Sequence, residues 1–139
     1  MLSMNLNEIE KKIRIILVNK LSPKLIYIFG SMVKNRVRND SDIDIAILTD
    51  KQIDEYKLYM VSQQLAGELK REVDIVDLRK ASTVFKAEIL RTGKLIYNFN
   101  NKIKMAFQLN VLNEYALLNE ERKGIINRIQ NKSQKGIKI

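Results

Sequence analysis

The 139-residue chain contains no cysteine and no histidine. The first absence excludes disulfides and thiolate metal sites. The second removes imidazole general bases, the Ser-His-Asp arrangement and most zinc chemistry. Any metal bound here must be held by oxygen ligands, which favours Mg²⁺, Mn²⁺ or Ca²⁺. Long apolar runs are also missing. None approaches the roughly 18 residues of a membrane span, and the N-terminus MLSMNLNEIEKK lacks a signal-peptide layout, so the expectation is a soluble cytoplasmic protein.

What is present is enough apolar material for one compact domain, at 45% of residues, and a formal charge of +9. The charge is unevenly spread. Residues 1–85 carry 14 Lys and Arg against 12 Asp and Glu, a net of +2, whereas residues 86–139 carry 11 against 4, a net of +7. Nucleic acid or an acidic protein surface would suit the C-terminal third, and so would a solvated helix that uses lysine for solubility.

Hydrophobic spacing organises the chain. Leu6, Ile9, Ile13, Ile16 and Leu17 recur at helical intervals, and Ser22-Pro23 stops that helix. KLIYIFG then reads as a buried strand ended by Gly30, and SDIDIAIL as a second strand. Leu58, Val61, Leu65 and Leu69 give the next helix one apolar face. REVDIVDL is a third strand, Ser82 caps a helix running to about Arg91, and KLIYNF is a short final strand. The asparagine-rich NFNN at 98–101 is the most linker-like point. Beyond it Ile103, Phe107, Val111, Tyr115 and Leu118 follow helical spacing, beside a second stripe of Met105, Leu109, Leu112 and Ala116. The order α-β-β-α-β-α-β-α predicts an α/β (α+β) fold, a small sheet flanked by helices. The expected division is a domain over 1–98, a helix over 99–131 packing on that domain or on a partner, and a basic tail over 132–139 that frays.

The stretch GSMVKNRVRNDSDID, residues 30–44, concentrates the chemistry. In a strand, side chains two apart share a face, so Asp42 and Asp44 project together while Ile43 and Ile45 enter the core. Two carboxylates at ~4 Å repel by roughly 4 kcal/mol at an effective dielectric near 20. A hard divalent cation, shared with phosphate oxygens, resolves that conflict. Asp74, in the next strand, can face the same edge as a third ligand. Gly30-Ser31 lies at a strand end followed by an expected helix start, where backbone amides and a hydroxyl form a phosphate seat. Lys34, Arg36 and Arg38 follow. A lone DxD pair or a lone Gly-Ser turn is weak, but the conjunction with a third aspartate describes a site for a nucleoside triphosphate and its metal. Asp77, near the same strand, is expected mainly to end it.

FGS, ten residues, then DID, with VDIVDL following, resembles the nucleotidyltransferase superfamily of the DNA polymerase β type. The stretch VDIVDLRKASTVFKAEILRTGKLIY is further similar to the minimal nucleotidyltransferases of the MntA-type antitoxins, which pair with HEPN-domain toxins of the HepT type. The resemblance implies a palm-type mixed sheet. It implies Gly30 and Ser31 as the triphosphate-binding pair, with Lys34 and Arg38 as basic nucleotide-binding positions. Asp42, Asp44 and Asp74 match the catalytic acids and metal ligands. Asn35 stands where many relatives have glycine, and asparagine tolerates a left-handed backbone. The implied activity is transfer of AMP from ATP, with Mg²⁺ or Mn²⁺, to a tyrosine of the cognate toxin. Other readings stay open: transfer to a small molecule or an RNA end, an antitoxin acting by binding and occlusion, and a DNA-binding autorepressor resting only on the basic C-terminal third.

Overall fold

The computed structural model describes residues 4–30 and 42–137. Among the described residues four helices and four strands follow the expected order: α1 (Leu6–Leu21), β1 (Leu25–Phe29), β2 (Ile43–Leu48), α2 (Glu55–Leu69), β3 (Val73–Asp77), α3 (Thr83–Thr92), β4 (Lys94–Asn98) and α4 (Asn101–Ile137). The sheet runs β3-β2-β1-β4. β1 is antiparallel to both of its neighbours, while β2 and β3 are parallel. A parallel pair needs a long crossover, and α2 supplies it.

Alternation within the strands decides which side each helix covers. Ile43, Ile45 and Ile47 of β2, with Val73 and Ile75 of β3 and Ile26 and Ile28 of β1, pack against Ile9, Ile13 and Leu17 of α1 and Val61, Leu65 and Leu69 of α2. The opposite face is thinner. There Leu25, Tyr27 and Ala46 meet Leu78 and Ile89, with Phe85 of α3 and Phe107 of α4 packed against them. Both faces are therefore covered, as the nearly unbroken apolar runs of β1 and β2 require.

The helix ends follow from local chemistry. The Asn5 side chain accepts from the Glu8 amide at 2.9 Å and caps α1, and Ser22 ends it in the left-handed region at φ 47°. The Ser82 hydroxyl accepts from the Phe85 amide at 3.1 Å, so the expected cap on α3 is in place. NFNN does not behave as a linker. Asn98 Oδ1 accepts from the Asn100 amide, Asn100 Oδ1 accepts from the Lys102 amide at 2.7 Å, and the Lys24 ammonium sits 4.0 Å from the centre of the Phe99 ring. Short amide side chains hold the backbone in a tight turn, which launches α4 directly from β4.

α4 also continues to Ile137, past the expected end at 131. At 1.5 Å per residue its 37 residues span about 55 Å, against about 15 Å for the ten-residue α3 it packs on. Val111 is fully buried under this contact, while Ile125, Ile126 and Ile129 lie exposed further along. On the other side of the sheet, Glu10 of α1 is buried with its Oε1 2.6 Å from Lys94 Nζ. That is an ion pair by distance, although its angles fall outside hydrogen-bond geometry. Arg14 donates to the Ile96 carbonyl at 3.3 Å, so α1 is tied by polar contacts to edge strand β4.

Candidate functional site

β2 and β3 bring the carboxylates together. Parallel pairing sets Asp44 directly beside Asp74, one register position from the buried pairs Ile43–Val73 and Ile45–Ile75. Because those isoleucines and valine face α1 and α2, Asp44 and Asp74 face the α3 side, and Asp42 shares that side two residues earlier. Asp42 and Asp74 are exposed, whereas Asp44 is half-buried. The expectation that the aspartates share a face, with Ile43 and Ile45 in the core, is met.

The same end of the sheet receives Gly30. In the antiparallel β1–β2 ladder Phe29 pairs with Asp44, so the residue after Phe29 lies against that carboxylate. Gly30 adopts φ +76°, and a Cβ built there would stand 2.5 Å from Asp44 Oδ2. Both the backbone conformation and the approach demand glycine. Phe29 meets Phe85 edge-on, with centroids 5.5 Å apart and planes at 86°, which pins the first turn of α3 beside this corner. Ser31, Lys34, Arg36 and Arg38 lie outside the described residues.

The electrostatics follow from that placement. Burial pushes the Asp44 carboxyl above its ordinary pKa, and the charges of Asp74 and then Asp42 push it the same way. A group of like charges at a sheet end holds an unfavourable field that an incoming cation would relieve. Among the described residues no three carboxylates converge closely enough to cage a metal alone. A cation at Asp42 and Asp44 would therefore complete its shell from phosphate oxygens and water, the usual arrangement for Mg²⁺ with a triphosphate. The donor set fits such an ion.

Asp77 takes no part in this corner. It is buried at the end of β3, where its Oδ2 accepts from the Ile53 amide at 3.1 Å and its Oδ1 from the Arg79 amide at 3.0 Å. It ends the strand, as expected, and also fastens the loop before α2. What sequence reading missed is the hollow beside Asp74, lined by Glu55, Leu58, Tyr59 and Ser62 of α2 with Ile75 of β3. No sequence signal marks it, because the concavity forms only where α2 meets β3.

These features are those of a polymerase-β-type nucleotidyltransferase: an α+β sheet, a glycine at the end of β1 and paired acids on β2 with a third on β3. The family model for the polymerase beta nucleotidyltransferase domain matches residues 11–102, and the chain belongs to that family. Within it, the chain is 35% identical over 124 residues to the protein adenylyltransferase MntA of Shewanella oneidensis, spanning 89% of this chain and 88% of that protein. It is 28% identical over 120 residues to the MntA of Aphanizomenon flos-aquae, spanning 78% and 79%. Among solved structures, a toxin–antitoxin complex with AMP-PNP superposes with a TM-score of 0.76 at 35% identity, covering 87% of this chain and 98% of the other. The MNT antitoxin bound to the tri-AMPylated HEPN toxin of S. oneidensis superposes at 0.73 and 32% identity, covering 89% and 98%. Among the described residues no helix is long and apolar enough to cross a membrane.

Proposed function

We propose that this chain is the antitoxin of a toxin–antitoxin pair and silences a HEPN-domain toxin by transferring AMP from ATP to one of its tyrosines. The observation that carries the reading is the in-register Asp44–Asp74 pair with Asp42 beside it, against the glycine that closes β1. The relatives that act as protein adenylyltransferases, and the solved antitoxins held with AMP-PNP or with an AMPylated toxin, support the nucleotide and the partner.

In this reading the triphosphate lies over the β1–β2 corner. Gly30 admits the phosphates closely, and Ser31, Lys34 and Arg38 contribute a hydroxyl and two cations to the leaving pyrophosphate. Asp42 and Asp44 would hold Mg²⁺, or Mn²⁺, which when bound would supply charge neutralisation of the triphosphate. With no histidine in the chain, Asp74 is the group placed to take the acceptor's proton. Most of the rate gain would come from aligning the acceptor oxygen with the α-phosphorus. A cytoplasmic location fits the use of ATP. Residues 1–98 carry the chemistry.

A second reading, neutralisation by occlusion alone, draws on the exposed apolar side chains of α4: Met105, Leu109 and Leu112 on one stripe, and Ile125, Ile126 and Ile129 beyond the α3 contact. One experiment separates the two. A small catalytic amount of chain, with ATP and Mg²⁺, is expected to inactivate a molar excess of HEPN toxin and leave AMP on a toxin tyrosine in the intact mass. Asp42→Ala/Asp44→Ala should leave no adduct. Protection that stops at a fixed stoichiometry and survives in the double variant would replace transfer by occlusion.

A further inference from the structure

Beyond Leu118, α4 runs on for about 28 Å, and residues 120–131 are exposed apart from Gly124. The side chains there do not suit water. Ile125, Ile126 and Ile129 are each more than half exposed, at 51, 51 and 58%. Branched isoleucines and Gly124 are also weaker helix formers than the residues a lone solvated helix favours. Their spacing explains them. Val111, buried against the domain, and half-buried Leu118 lie seven residues apart, and Ile125 falls seven further on. With Arg122 and Ile129 interleaved at steps of four, positions 111, 118, 122, 125 and 129 form one heptad seam. The domain covers its first half and leaves its second half open.

Charge decides what the open half accepts. Glu121 and Arg128, again seven apart, flank the seam on one side, and neither forms an ion pair among the described residues. Arg128 donates instead to the Gly124 carbonyl at 3.3 Å. Two such helices running the same way would set Arg122 against Arg122 inside the seam and leave Glu121 beside apolar Ile126. Two running opposite ways set Leu118 against Ile129, Arg122 against Ile125, and Glu121 of each against Arg128 of the other. The segment is therefore complementary to itself when reversed, the relation a two-fold axis supplies. We infer that the open half of this seam pairs antiparallel with the same segment of a second copy of the chain. Leu118, Ile125 and Ile129 form the contact, with reciprocal Glu121–Arg128 ion pairs along its flank. About two heptads in contact make a reversible pair rather than a permanent one. The carboxylates lie on β2 and β3, outside this contact, so pairing and adenylyl transfer are separable.

Sedimentation velocity of the full chain over a rising concentration series tests the pair. The mass is expected to climb from 16.2 kDa toward twice that value. Ile125→Glu/Ile129→Glu should stay at monomer mass throughout, with the melting temperature of dilute protein unchanged, because both side chains are exposed. Glu121→Arg and Arg128→Glu should each raise the dissociation constant about tenfold, and the two combined in one chain should restore it. A wild-type chain that stays monomeric at every concentration overturns the pair. If Ile125→Glu/Ile129→Glu then weakens binding to a HEPN-domain toxin, the seam belongs to the toxin instead. Dimers that survive Ile125→Glu/Ile129→Glu place the contact elsewhere and overturn it too. Dimers lost in the single charge variants and not regained in the combined one overturn the antiparallel register.

Discussion

Gly30→Ala probes the site with the smallest possible change, one methyl group. Two costs follow from the structure. At φ +76° an L-residue pays roughly 1–2 kcal/mol for a left-handed backbone. The new Cβ would also stand 2.5 Å from Asp44 Oδ2, a distance that real Cβ atoms do not tolerate, so the carboxylate must move by several tenths of an ångström or more. Asp44 is braced on both sides by ladder pairing to Phe29 and Asp74, so its backbone cannot follow and the side chain must rotate away. For a chain of this length, about 1–2 kcal/mol corresponds to a fall in melting temperature of about 3–8 °C. The functional loss should be disproportionate. A reacting-group displacement of about 1 Å can cost on the order of 10²-fold in rate. The assay pairs thermal unfolding with initial rates of AMP incorporation into a HEPN toxin at saturating ATP. Near-normal kcat in a protein that melts several degrees lower would refute the claim that Gly30 sets the Asp44 geometry. Near-normal values of both would refute the strain argument too.

Asp44→Asn should abolish transfer yet stabilise the fold. Since the native pKa of Asp44 is raised, the native state binds more protons than the unfolded chain, and stability falls as pH climbs through the carboxylate range. In EDTA the variant is therefore expected to melt above wild type at pH 7, with the gap closing as pH drops below about 4, the ordinary carboxylate value; a gap of opposite sign would contradict the burial and like-charge argument. Cutting the chain after Glu121 removes residues 122–131, which are exposed almost throughout, with the tail that follows, so melting should change by under about 0.5 kcal/mol. Cutting after Asn101 instead strips Phe107 and Val111 from the core and should cost several kcal/mol, visible as lost cooperativity by circular dichroism. Equal melting of the two truncations would show that α4 does not belong to the domain.

The element order, the strand faces and the carboxylate pair were all legible in the residues. Period-two alternation in DIDIAIL settles which side chains share a face, whatever the strand packs against. The Ser82 cap, the stop at Ser22-Pro23 and the apolar face of α2 are likewise local, because capping and amphipathicity act within a turn or two of helix. Other features were not local. That Asp74 lands beside Asp44, one strand away, depends on parallel register, which α2 and the buried isoleucines set together. NFNN read as a linker because asparagine favours loops, and only its neighbours show the side chains closing a turn that Phe99 and Lys24 hold to the sheet. The hollow at Tyr59 has no sequence signature at all, since a concavity forms only where α2 and edge strand β3 meet. Sequence by itself determined which residues could do phosphate chemistry, because spacing along one strand governs their faces. The tertiary structure alone decided which carboxylates meet, because that depends on register and packing between segments distant in the chain.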